Sequence, residues 1–163
     1  MSRNRLAALS VTLLVSLFLA MSMGTSVLGS QPGQPSRRAK GDIPRGLLPL
    51  YQAAANTCPG LPWSVLAAIG KVESDHGRTR LPGVRSGSNW AGACGPMQIG
   101  CVPGSKAGNA WARYGHGRPY DPANAIPAAA RYLVDHDARH NLDQALFAYN
   151  HSWSYVAKVK RLA

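Results

Sequence analysis

Pro62-Trp63-Ser64-Val65-Leu66-Ala67-Ala68-Ile69-Gly70-Lys71-Val72-Glu73-Ser74 is the stretch that decides the fold. It predicts a helix opening on Pro62, where a missing N–H costs nothing. Trp63, Leu66, Gly70 and Glu73 fall on one face, and Val65, Ala68, Ile69 and Val72 on the adjacent one. A helix apolar almost all round belongs inside a core. Glu73 stands on its last turn and is the only glutamate in the chain. A carboxyl on such a helix is costly unless it is paired or protonated. Desolvation raises its pKa, which suits a general acid working near neutral pH. The plainer reading is a helix-end glutamate turned to solvent.

Working outward, the chain of 163 residues has the length of one domain. Arg3 and Arg5 precede an uncharged run from Leu6 to Met23, followed by small residues through Ser30. This is the layout of a secretory signal peptide, expected over residues 1–29. An uncleaved anchor is the competing reading, since Leu6 to Leu28 is long enough to span a bilayer. The positive-inside rule exports the rest of the chain in either case. Residues 30–43 are polar and rich in Pro and Gly, and are expected to form a disordered linker. Residues 44–163 are left for the folded domain.

The net charge is +11, which suits an exported protein held at an anionic cell wall. The basic residues are scattered and no nucleic-acid motif accompanies them, so no nucleic-acid partner is expected; a monomer is. Three cysteines allow at most one intramolecular disulfide. Cys94 and Cys101 bracket Gly-Pro-Met-Gln, which favours bonding those two and leaving Cys58 free, although Cys58 can pair with either. There is no Cys-x-x-Cys, and the five histidines lack ligand spacing. No metal or cofactor is expected.

Pro49 to Thr57 reads as a first helix and Cys58-Pro59-Gly60-Leu61 as the turn into the Glu73 helix, which His76-Gly77 ends. Residues 77–96 form an irregular loop, longer than compact domains carry without a function. It runs into Gly92-Ala93-Cys94-Gly95-Pro96-Met97-Gln98-Ile99, where glycines permit close backbone approach to a ligand and Met97 and Gln98 offer an apolar face and an amide. A short helix is expected near Ala110 to Tyr114. Asp121-Pro122 is a helix start, with Asp121 as the cap and Pro127 restarting or continuing the helix to about His140. Gln144 to Asn150 and Ser152 onward give the last two helices, the latter turning Val156 and Val159 inward. No strand is predicted. The expectation is an all-α domain of five or six helices with long irregular loops and little or no β structure.

Val72-Glu73-Ser74, then Gly92 to Ile99, then Leu146-Phe147-Ala148-Tyr149-Asn150 resemble, in order and spacing, the lysozyme-like soluble lytic transglycosylases, which cleave bacterial peptidoglycan. The resemblance spans roughly Leu47 to Val159, in the style of small secreted actinobacterial members. It implies Glu73 as the catalytic acid. It also implies Gly95, Met97 and Gln98 as groove residues, and Tyr149 and Asn150 as contacts that orient the muramic sugar. It further implies cleavage of the β-1,4 bond between N-acetylmuramic acid and N-acetylglucosamine, leaving a 1,6-anhydro end, with peptidoglycan strands as the partner. The loop after Ile99, with Cys101 and Gly104-Ser105-Lys106-Ala107-Gly108, departs from the family's usual continuation.

Ordinary glycosidases use two carboxylates at a set separation. Here the six acids besides Glu73 read as caps or surface groups, and a one-carboxylate mechanism explains the shortage. The alternatives are a hydrolytic lysozyme-type muramidase, with Asp75 or Asp121 activating water, and a non-catalytic peptidoglycan-binding module. A membrane-active cationic protein needs a longer basic amphipathic helix than 152–162.

Overall fold

The computed structural model describes residues 33–163. The expected leader, 1–29, lies outside the described residues. Helix α3 (Trp63–Ser74) is the centre of the fold. It packs against α2 (Leu48–Asn56) on one side, α7 (Trp153–Leu162) on another, and also touches α5 (Pro122–Asp135). Leu66 and Ile69 of α3 are closed to solvent, together with Met97, Leu133, Leu146 and Val159 from the elements around it. Each such aliphatic side chain contributes about 1.5–3 kcal/mol on burial. The all-α expectation holds: seven helices and one two-stranded hairpin are formed by the described residues.

The end of α3 is a tight left-handed turn. Asp75, His76 and Gly77 have φ of 51°, 58° and 80° in succession. Gly77 takes this at no steric cost, but Asp75 and His76 do not. Their side chains hold them there. Asp75 receives Lys71 at 2.7 Å and Arg78 at 2.6 Å. The His76 ring is buried, with Nδ1 3.0 Å from the Tyr51 hydroxyl. Tyr51 in turn fits against Gly70, where a Cβ would overlap its hydroxyl.

The sequence-read helices return with small shifts. Asp121 caps α5 through Ala123 N–H at 2.9 Å. The helix runs through Pro127 without a break and stops at Asp135, short of the expected His140. Asp137, at φ 63°, turns the chain, and Ala138 N–H closes back on Leu133 O. Short α4 (Ala110–Tyr114) is capped by Asn109, and α6 (Leu142–Asn150) by Asn141. Ser152 caps α7.

Two expectations need correction. The hairpin β1 (Ala93–Cys94) and β2 (Ile99–Gly100) was not predicted, because two-residue strands carry no period to read. The stretch 30–43, expected as a disordered linker, carries helix α1 (Arg37–Asp42) in its described part. Ser36 caps it, Ile43 is buried behind it, and Asp42 is drawn in by Lys71 and Arg78. Anchoring contacts made far along the chain thus supply what local composition lacks.

Cys94 and Cys101 form a disulfide across the base of the hairpin, with 5.8 Å between their Cα atoms, and Cys58 is free and buried. Gly95 opens the hairpin turn at φ 75°, pressed against Pro119 so closely that a Cβ would overlap that carbonyl. A smaller core of Ile99, Tyr114 and Ala128 seats the hairpin and α4 on α5.

Candidate active site

A cleft of about 590 Å³ opens between two walls. The helical wall is Glu73 at the end of α3, Tyr132 of α5, and Ala148, Tyr149, Asn150 and His151 at the end of α6. The loop wall comes from the hairpin and its flanks: Asn89, Trp90, Gln98, Ile99 and the 105–108 segment.

The walls are pinned to each other by backbone carbonyls of the hairpin turn. Ser74 Oγ donates to Pro96 O at 2.6 Å and accepts from Gly77 N–H at 2.7 Å. The Tyr149 hydroxyl donates to Met97 O at 2.8 Å. The α3 and α6 ends therefore hold the same turn from two sides. Gln98, left-handed at φ 47°, is fixed within it: its amide donates to Gly95 O at 2.8 Å and accepts from Asn89 Nδ2 at 2.9 Å. Asn89 Oδ1 then collects the N–H groups of Ala91 and Ala93.

Glu73 keeps partial access to the cleft. Burial pushes its carboxyl up to about 7, opposed by the Tyr155 hydroxyl first and by the Lys158 charge second. Tyr155 belongs to α7, and its ring stacks parallel to Tyr149 with centroids 6.5 Å apart. Its hydroxyl is buried and has no protein partner other than the Glu73 carboxyl, which it influences. Burial and the Glu73 charge raise both phenols well above the ordinary tyrosine range, so Tyr149 and Tyr155 stay protonated donors.

Glu73 is the only carboxyl bordering the cleft. Every aspartate is committed elsewhere. Asp42 and Asp75 share Lys71 and Arg78. The Arg78 and Lys71 contacts hold Asp75 far below the ordinary carboxylate range. Asp121 caps α5, Asp135 meets Tyr114 and Arg113, Asp137 meets His140, and Asp143 meets Lys160. Neither Asp75 nor Asp121 is placed to activate water in this cleft.

The sequence-named residues divide. Glu73, Gln98, Tyr149 and Asn150 come together around the cleft. Gly95 and Met97 do not border it. Gly95 is spent on the tight packing against Pro119. The Met97 side chain is 0% exposed and fills the main core, where an adaptable thioether suits an irregular gap. Their expected role as groove contacts is corrected to one of shaping the turn. Sequence reasoning missed Tyr155, although its spacing from Val156 and Val159 places it on the inward face of α7. It also missed Asn89 and Tyr132, whose roles depend on long-range packing. Tyr132 donates to Ala148 O at 2.9 Å and meets Tyr149 edge to face at 5.2 Å.

A larger cavity of about 720 Å³ lies between α1, α3 and the end of α7, and Glu73 is not among the residues that line it. Asp42 and Lys71, which line it, pair with one another.

The model of one family, described as the transglycosylase SLT domain, matches residues 50–163. Comparison with curated proteins returned no match, and neither did comparison with solved structures.

Proposed function

The chain belongs to the transglycosylase SLT domain family, and from that premise we propose that it cleaves the β-1,4 bond between N-acetylmuramic acid and N-acetylglucosamine without water, leaving a 1,6-anhydromuramoyl end. The single observation that carries this reading is that Glu73 is the only carboxyl bordering the cleft. Two-carboxylate hydrolysis, inverting or retaining, has no second group to use.

Glu73, near 7, is protonated in a useful fraction at neutral pH. It donates its proton to the bridging glycosidic oxygen as the bond to the muramic C1 breaks. The substrate's own N-acetyl oxygen stabilises the cationic carbon. The ionised Glu73 then takes the proton from the 6-hydroxyl as that oxygen attacks C1. One group serves as acid and then base, and the carboxyl ends as it began. Gln98 and Asn150 border the path of the strand, and Tyr149 sets the position of the turn and the muramic sugar. A Tyr155 hydroxyl with no committed protein partner is free to donate to Glu73 once it is ionised.

The sequence also supports export and retention at the cell wall, through the expected leader and the +11 charge. Fractionation of expressing cells tests that part: the chain is expected outside the cytoplasm. Mass spectrometry of purified peptidoglycan digested by the chain tests the reaction. Anhydro-muropeptides are the expected products. Reducing-end products would mean a hydrolase, and wall binding without products a binding module.

A further inference from the structure

Trp90 is 84% exposed, the most exposed large apolar side chain of the described residues. It joins neither hydrophobic cluster, so no packing explains it. It borders the cleft that holds Glu73. Lys106 also borders it, with Nζ 4.8 Å from the Trp90 ring centroid. Among the residues lining the cleft, Lys106 is the only lysine or arginine. All seven carboxyl side chains of the protein are described, and none lies within ion-pair distance of Lys106.

The two residues sit on loops that are built to stay together. Ala107 N–H, next to Lys106, donates to Ala91 O, next to Trp90, at 2.7 Å. Ser105 Oγ donates to Val102 O at 2.7 Å, and a Cβ at Gly92 would overlap Ser105. The Cys94–Cys101 disulfide closes the base of both loops. An exposed indole, with the Lys106 ammonium over one face of its ring, is thus held on one edge of the cleft. Lys106 lies in the loop after Ile99, where the sequence departs from the family's usual continuation.

We propose that Trp90 and Lys106 form a subsite for the stem peptide carried by muramic acid, the indole packing on the sugar and lactyl face and the ammonium pairing with peptide carboxylates. The proposal rests on peptidoglycan being the substrate. Its logic is charge. When the lactyl carboxyl is amide-linked to a peptide, the sugar backbone is neutral. The anionic groups within reach of a cleft edge are then the peptide's own carboxylates. A cation with no carboxylate partner over an aromatic plate matches that pairing of apolar ring and nearby anion. Unsubstituted muramic acid offers the same chemistry from its lactyl carboxylate, so the test separates the two sources.

Equilibrium binding is measured on the Glu73→Gln chain, which does not consume the strands. Three probes are used: peptide-bearing glycan strands, amidase-stripped strands with free lactyl carboxylates, and chito-oligosaccharide with no carboxylate. Lys106→Gln is expected to lower the affinity ratio of peptide-bearing strands over chito-oligosaccharide by about 3- to 5-fold at low salt, the scale of one exposed ion pair. Lys106→Arg is expected to keep the ratio, and Trp90→Ala to weaken all three probes by about 3- to 10-fold. An unchanged ratio in Lys106→Gln overturns the proposal. A fall confined to the stripped strands overturns the peptide assignment in favour of the lactyl group. Failure of the wild-type chain to cleave peptidoglycan would instead count against the proposed reaction, and leaves the affinity ratios readable.

Discussion

The Tyr149 hydroxyl, at the end of α6, donates to the backbone carbonyl of Met97 at 2.8 Å. The bond crosses from the helical wall to the hairpin turn and fixes the width of the cleft beside Glu73. It also gives the phenol a structural duty in addition to any contact with sugar. Tyr149→Phe strands a buried carbonyl, so a stability loss of about 1–3 kcal/mol is expected. Turnover is expected to fall with it, because the turn carrying Gln98 loses one of its two anchors. Urea unfolding and steady-state release of muropeptides check both effects. An unchanged unfolding midpoint would show that the bond holds nothing.

The alkaline limb of the pH profile follows from Glu73. Burial sets its pKa at about 7, and the first step needs the protonated form. Activity on peptidoglycan is expected to fall as pH rises through about 7. The Tyr155 hydroxyl is the largest influence holding that pKa down, so Tyr155→Phe should move the limb to higher pH. A limb that stays in place in Tyr155→Phe would mean that the hydroxyl does not reach the carboxyl.

The same shift has a stability sign. The Glu73 pKa is higher in the folded state, about 7, than the ordinary 4.5. The folded chain therefore binds the proton more tightly, and this contribution is complete below about 4.5 and lost as pH rises through 7. Wild type is expected to lose about 3 kcal/mol relative to Glu73→Gln between pH 4 and pH 8. Denaturant titrations of the two chains at both pH values check it. A constant difference across that range contradicts a buried, protonated Glu73.

Reducing the Cys94–Cys101 bond frees the loops that form one wall of the cleft. Closing so short a loop contributes about 2–3 kcal/mol, and reduction should lower the unfolding midpoint accordingly. Cys58 is buried and is expected to alkylate only after unfolding. Non-reducing peptide mapping that finds Cys58 in a disulfide would contradict the assignment.

The helices were legible because their signals are local: the all-round apolar run of α3, Asp121-Pro122 at the start of α5, Ser152 before α7. Glu73 was legible for the same reason, a lone carboxyl on an apolar helix. What escaped depends on contacts distant in sequence. Met97 read as a flexible surface for a ligand, yet the core takes it whole, because nothing in its neighbours shows which way the turn faces. Gly95 read as room for a sugar, yet the Pro119 carbonyl occupies that room. Helix α1 is polar along its length and is held by Lys71 and Arg78, about 30 residues away. The Trp90–Lys106 pair needs two loops brought together by the Ala107–Ala91 bond, which no spacing in the sequence announces.

The most direct test of the central claim is the release of 1,6-anhydromuropeptides by Glu73→Gln, measured by mass spectrometry on purified peptidoglycan. The amide keeps the side chain's shape and cannot donate a proton to the bridging oxygen or remove one from the 6-hydroxyl. The account predicts a folded chain that still binds peptidoglycan. Its release should be reduced by at least the ~10²–10⁴ that loss of general acid–base catalysis removes. Wild-type release of anhydro products by Glu73→Gln would contradict it.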